Sequence, residues 1–213
     1  MTWKNAKKDI RTAACAEMRG AADKKLKVLE FGAFSSPMFV PGEADVRYAD
    51  RLSTQQLRDS VADPEKRAAI VAVDYVVDND FEQQIPERFD LIVANHVVEH
   101  VPDVIGWLNR LSVLLKPGGQ VFLAVPDKNY TFDIMRDPTL ARELVDNFIT
   151  KREAPSAADI LDAAVHRRDI RNGSDVWSGK AHHVIKTAPT VDVDATLKGI
   201  QLRKAAGEYI DCH

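Results

Sequence analysis

Hydrophobic positions along the chain fall into two textures. Between residues 26 and 126, short runs of large and β-branched apolar residues recur, each separated from the next by a connection long enough for a crossover. Leu26-Lys27-Val28-Leu29-Glu30-Phe31 predicts a first strand, ending at Gly32 and the small-residue loop Ala33-Phe34-Ser35-Ser36-Pro37. Val46 to Asp50 predicts a second strand closed by an acid, and Ser53 an N-cap for a helix that Pro64 interrupts. The latter part of Ala69 to Val77 predicts a third strand before the acidic turn Asp78-Asn79-Asp80. Phe89 to Asn95 has the continuous apolar character of a strand buried on both faces of a parallel sheet.

Val104, Leu108, Leu111 and Leu115 recur at helical spacing, with Trp107 as a further core residue, and Lys116-Pro117-Gly118-Gly119 stops that helix. A fifth strand, Gln120 to Pro126, follows at once. Five strands joined by crossovers predict an α/β fold with a doubly wound, mostly parallel, Rossmann-like sheet. Beyond Asp127 the chain turns to charged, Ala-rich helical segments, Leu140 to Arg152 and Ser156 to Arg168, joined at Pro155 and followed by the polar loop Asn172-Gly173-Ser174. A helix over Lys4 to Ala22 precedes the core as a lid or packing element. The division expected is an N-terminal helix (1–24), a cofactor-binding core (25–133) and a helical C-terminal cap on the acceptor side (134–213).

At 213 residues, one domain with a helical appendage fits and two large domains would be crowded. A net charge of -3 gives no electrostatic footprint for nucleic acid and is compatible with a small, uncharged or neutral-to-acidic partner; nothing fixes an oligomeric state. No apolar run approaches the roughly 20 residues that span a bilayer, and the start Met1 to Asn5 leads into no secretory apolar segment. Membrane insertion is therefore not expected, and a cytoplasmic location is. Cys15 and Cys212 stand far apart and form neither a disulfide framework nor a CxxC metal motif.

A nucleoside-bearing ligand of such a sheet rests at the carboxyl ends of the strands, where Glu30 to Pro37 brings backbone close. Only Gly32 remains of a GxGxxG fingerprint, with Phe34 where a second glycine is expected, so a plain strand-to-helix turn competes with a ligand loop, and a nicotinamide dehydrogenase is disfavoured. Asp50 is placed to accept hydrogen bonds from two ribose hydroxyls, although a strand-end Asp is also common in turns. His96-Val97-Val98-Glu99-His100 matches HxxEH, a zinc-peptidase pattern that needs both histidines on one helical face. Pro102 and the preceding strand leave scarcely one turn for that helix.

The run Phe89 to Asp103, with Leu115-Lys116-Pro117-Gly118-Gly119 and Val121 to Pro126, resembles class I S-adenosylmethionine-dependent methyltransferases of the type 11 kind. Leu29-Glu30-Phe31-Gly32-Ala33 and Val46 to Leu52 are similar to their first two motifs, so the resemblance covers about Lys27 to Asp133. A closer likeness, carried by Gly32-Ala33 with Pro37, Tyr48 to Ser53 and Val125 to Asp133, is to methyltransferases met beside glycan-assembly enzymes. The resemblance implies S-adenosyl-L-methionine as cofactor and methyl transfer to a small-molecule acceptor, with a saccharide or glycan intermediate as the leading class.

It further implies that Glu30 and Gly32, with Ala33, line the methionine side of the cofactor and that Asp50, beside Arg51, holds the ribose. Asp78 or Asp80 approaches the adenine amine, and Asn95 and His96 sit under the sulfonium. The candidate bases are His96 and His100, whose imidazoles titrate near neutrality, and Asp127, Lys128 and Tyr130 are the candidate acceptor contacts. Trp177, His182 and His183 either line an acceptor pocket or anchor the cap. The last antiparallel strands usual in such relatives are missing from the pattern. A degenerate member of the fold serving as a binding or assembly module is the alternative to an enzyme.

Overall fold

The computed structural model describes residues 25–170 and 173–212 together with Ala13; apart from Ala13, the helix expected over Lys4 to Ala22 lies outside them, as does Asn172. The chain divides into two compact units, Met1–Val97 with Trp107–Ala124, and Val98–Gly106 with Val125–His213.

The first unit is built on β1 (Lys27–Phe31), β2 (Asp45–Asp50), β3 (Tyr75–Val76), β4 (Phe89–Asn95) and β5 (Leu115–Ala124), ordered β3-β2-β1-β4-β5 with every pairing parallel. The order runs outward from β1 in both directions and reverses between β1 and β4, which makes this a doubly wound sheet with a switch point at their carboxyl ends. No antiparallel strand occurs among the described residues.

Alternate residues of the central strands feed the two faces. Val28, Leu91 and Val93 pack with Met38, Phe39, Val46 and Tyr48. On the other face Phe31 meets Phe81 edge-on at 5.2 Å and Trp107 at 6.4 Å, and fully burying side chains such as Leu29 and Ile92 contributes about 1.5–3 kcal/mol each. Burial on both faces is why β1 and β4 read as near-continuous apolar runs.

The connections refine the expectations. Ser53 caps α1 (Thr54–Asp59) in a capping box with Gln56, as its sequence signals. Pro64 does not break that helix; with Asp63 as N-cap it opens a second, α2 (Pro64–Ala68), where its missing N–H costs nothing. The third strand shrinks to two residues because the Asp74 side chain, instead of a backbone carbonyl, accepts the Tyr48 N–H at 2.8 Å. Phe81 of α3 (Phe81–Gln84) enters the core. The buried stripe of α4 (Val104–Leu114) is Trp107, Leu111 and Leu114, while Leu108 is exposed: the indole turned toward Phe31 takes the inner face.

The second unit is helical: α5 (Ala141–Ile149), α6 (Ala157–His166), α7 (Gly173–Trp177), α8 (His182–Lys186) and α9 (Val193–Ala205), with 3₁₀ turns at Val98–His100 and Lys128–Tyr130. Ser156 caps α6 reciprocally with Asp159, and Ile160, Ile200 and Ile210 form a small core against which Cys212 packs. Gly173 opens α7 and does not sit in a loop; a Cβ there would meet the Tyr130 carbonyl oxygen at 2.9 Å. No helix among the described residues is long and apolar enough to cross a membrane.

Candidate functional site

Glu30 lies on the apolar face of β1, 1% exposed, and a buried carboxylate demands donors. It finds them in the loop that leaves the strand: Oε1 accepts the Met38 N–H at 2.6 Å and Oε2 the Phe39 N–H at 3.0 Å. The Tyr48 hydroxyl donates to the Phe39 carbonyl at 2.7 Å, and burial, reinforced by the Glu30 charge, pushes that phenol up to about 12. The segment from Gly32 to Phe39 is thereby pinned from below. Its first residue takes a left-handed backbone, φ +64°, and a Cβ at Gly32 would stand 2.9 Å from Val97 Cγ2. Gly32 is exposed, Ala33 buried, and Phe34 shares the left-handed conformation at φ 49°.

Asp50 ends β2 beside this turn, where Gly32 donates its N–H to the Ala49 carbonyl at 3.0 Å. Its Oδ1 accepts the Leu52 N–H at 3.0 Å, and burial holds the carboxyl above the ordinary range against the opposing pull of the backbone donors and of Arg51. Arg51 itself is exposed. Beyond β3, Asp78 is exposed and its Oδ1 accepts the Asp80 N–H at 2.9 Å, which holds its pKa down; Asp80 is exposed as well. At the end of β4, Asn95 donates to the Met38 sulfur at 3.7 Å, and His96 is exposed in a left-handed conformation, φ 55°. The carboxyl ends of β1, β2, β3 and β4 therefore carry Gly32, Ala33, Asp50, Arg51, Asp78, Asp80, Asn95 and His96 along one rim.

The left-handed His96 followed by a single 3₁₀ turn at Val98–His100 overturns the zinc-peptidase alternative, because no helix presents the two histidines on one face. His96 and His100 belong to different units.

In the second unit His100 Nδ1 lies 2.6 Å from Asp211 Oδ2, and this partner raises the imidazole pKa over the opposing effect of burial, with Glu99 and Asp133 adding to the rise. The Tyr209 hydroxyl donates to the His100 carbonyl at 2.9 Å. Asp127 accepts the Asn129 N–H at 2.9 Å as the cap of the Lys128–Tyr130 turn, and Lys128 Nζ donates to the Ile134 carbonyl at 2.9 Å. Tyr130 packs its ring on Trp177, centroids 5.4 Å apart, and the indole is 78% exposed. His182 and His183, in α8, are exposed.

A cavity of about 660 Å³ in this unit is lined by His100, Lys128, Asp133, Arg136, Asn147 and Asp211 among others. Arg136 ties it together, donating to Asp162 at 3.1 Å and to the Cys212 carbonyl at 2.8 Å, with Asp133 at 3.4 Å. Asp211 and Tyr209 were invisible to motif reasoning, since their partner is more than a hundred residues away. Asp103 accepts the Gly106 N–H at 2.8 Å as the cap of α4, a role that an Asp directly before a helical run signals and that the sequence reading missed.

The family described as the methyltransferase domain matches residues 3–169. A ubiquinone biosynthesis O-methyltransferase of Nitrobacter winogradskyi is 39% identical over 62 residues, 29% of this chain and 24% of that protein. Its counterpart in Pseudomonas aeruginosa is 38% identical over 61 residues, 28% and 26% of the two chains. The matches span about a quarter of the length of these curated relatives. A solved structure of the plantazolicin methyltransferase BpumL, in complex with a pentazolic desmethylPZN analog and SAH, superposes with a TM-score of 0.44 at 9% identity, covering 98% of this chain and 81% of that one.

Proposed function

The chain belongs to the family of methyltransferase domains, and on that premise we propose that it binds S-adenosyl-L-methionine along the rim of its first unit and transfers the methyl group to a small-molecule acceptor. The observation that carries the reading is the pairing of an exposed, left-handed Gly32 with a half-buried Asp50 at the ends of neighbouring strands. A carboxylate held in partial desolvation at a strand end is suited to accept two ribose hydroxyl donors, which restore what burial removes. Gly32, without a Cβ, allows backbone to approach the cofactor, and Asn95 offers a polar side chain at the next strand end. The donor set fits the group.

Glu30 serves this rim by shaping its loop, because both of its oxygens hold backbone N–H groups. The cofactor supplies an electrophilic methyl, so the protein's contribution is alignment and exclusion of water, worth roughly 7–11 kcal/mol in favourable cases. His96 and His100 are the residues to take a proton from a hydroxyl or ammonium acceptor. Asp78 or Asp80 reaches the adenine amine.

The helical second unit, with Lys128 and Tyr130 in a 3₁₀ turn that Asp127 caps, takes the acceptor. A saccharide or glycan intermediate is the class we put first: it rests on the resemblance of Tyr48 to Ser53 and Val125 to Asp133, and the exposed Trp177, tilted at 41° against Tyr130, offers an apolar face for a sugar ring.

Titration calorimetry with S-adenosylhomocysteine tests the reading. Binding is expected, with a thermal stabilisation of about 2.7 kcal/mol at a hundredfold excess over Kd, and Asp50→Ala is expected to weaken it about tenfold or more. Absence of binding at millimolar ligand would overturn the proposal, and an unchanged affinity in Asp50→Ala would remove the ribose role.

A further inference from the structure

The segment Tyr209–Cys212 runs along the second unit through four contacts of different chemistry. Ile210 is buried with Ile160 and Ile200, and the Cys212 carbonyl accepts from Arg136 at 2.8 Å. Tyr209 donates to the His100 carbonyl at 2.9 Å, and Asp211 pairs with the His100 ring at 2.6 Å. Asp211, Cys212, His100 and Arg136 all line the cavity, so the segment forms part of its wall.

Three of these contacts are indifferent to pH near neutrality. The fourth is not. A protonated imidazole facing a carboxylate makes a charge-assisted bond roughly twice as strong as the one a neutral ring makes. Among the described residues, the charges that favour the protonated ring are Asp211 itself, Glu99 from its own turn, and Asp133 from the stretch after the Lys128–Tyr130 turn. Of the cations in the cavity wall, Arg136 is engaged with Asp133 and Asp162, Lys128 with the Ile134 carbonyl, and Arg152 with Asp159.

We propose that Tyr209–Cys212 is a pH-sensitive strap on the cavity of the second unit, fastened when the His100 imidazole is protonated and loosened when it is neutral. The strap is anchored at its apolar and Arg136 ends and released at Asp211, so the loosening is local. The sign follows from which state binds the proton more tightly. His100 gains a carboxylate partner on folding, so its stabilisation is complete below about pH 6.5, the ordinary imidazole value, and is lost as pH rises through the higher value of the folded state.

Hydrogen exchange of the full chain, read by mass spectrometry on peptides covering residues 203–212 and corrected for intrinsic pH dependence, tests the strap without any ligand. Between about pH 5.5 and pH 8.5, exchange of the strap amides is expected to speed up by roughly three- to tenfold, while peptides from β1 and β4 stay constant. Asp211→Asn should remove that dependence and set the strap at its looser level throughout. A flat profile in the wild type, or an unaltered profile in Asp211→Asn, overturns the proposal. Ring-proton NMR gives an independent reading in the unmodified protein: His100 must titrate above the ordinary value, and titration at or below it has the same overturning force.

Discussion

The Glu30 carboxylate accepts the backbone N–H of Met38 at 2.6 Å from inside the sheet's apolar face. With Phe39 as its second donor, it holds the loop that leaves β1 in one shape. Glu30→Ala would leave two interior N–H groups unsatisfied, a cost of about 2–5 kcal/mol. Urea denaturation should show this loss, together with weaker S-adenosylhomocysteine binding. A change below about 0.5 kcal/mol would mean that the loop finds other acceptors.

Gly32→Ala meets two obstacles, a left-handed backbone and the Val97 side chain 2.9 Å from the new Cβ. A destabilisation of about 1 kcal/mol or more is expected from the backbone alone, with a further share from the clash. Adding Val97→Ala should recover only the second share. Thermal melts of Gly32→Ala, Val97→Ala and the double variant separate the two contributions.

Ribose hydroxyls donate to an ionised Asp50 better than to a protonated one. Because burial raises this carboxyl above the ordinary range, S-adenosylhomocysteine affinity should be constant near neutrality and fall as pH drops through that raised value. The ligand prefers the charged form, so its binding must draw the pKa down and release a proton. Calorimetry between about pH 4.5 and pH 7.5 checks it, and Asp50→Asn should flatten the curve.

At the start of α4, Asp103 Oδ1 accepts the Gly106 N–H, and a Cβ on Gly106 would fall 2.0 Å from Asp103 Oδ2. Gly106→Ala should therefore destabilise although alanine favours helices, and Asp103→Ala should cost about 0.5–2 kcal/mol as a lost cap. Combined, the two should cost less than their sum, since removing the carboxylate vacates the space that the methyl needs. A double-mutant cycle by chemical denaturation measures this coupling, and strict additivity would refute the steric account.

The fold was legible where burial alone dictates residue type. β1, β2 and β4 announced themselves because side chains on both faces meet apolar neighbours, and the resemblance in Phe89 to Asp103 and Leu115 to Pro126 brought the remaining segments into register. Reading failed where one residue's role depends on a distant partner. Asp74 shortens β3 by reaching across to Tyr48, and Trp107 displaces Leu108 from the core by meeting Phe31. The rim residues were readable as strand-end acids and a glycine, but the engagement of Glu30 with Met38 and Phe39 was not, since backbone N–H groups leave no trace in residue identity. Tyr209 and His100 are separated by 109 positions with nothing in either neighbourhood to link them.

The ladder between β4 and β5 passes from Phe89 opposite Leu115 to Leu91 opposite Gln120, so Lys116 to Gly119 bow out at the amino end of the last strand. Pro117 and Gly118 are exposed there, and nothing lies within 4 Å of where a Gly118 side chain would start. This bow stands some 15 Å along β5 from the ligand-facing edge. A fluorophore attached through Pro117→Cys would consequently report on events in the sheet without standing in their way, giving an optical handle on ligand arrival for which no acceptor need be known.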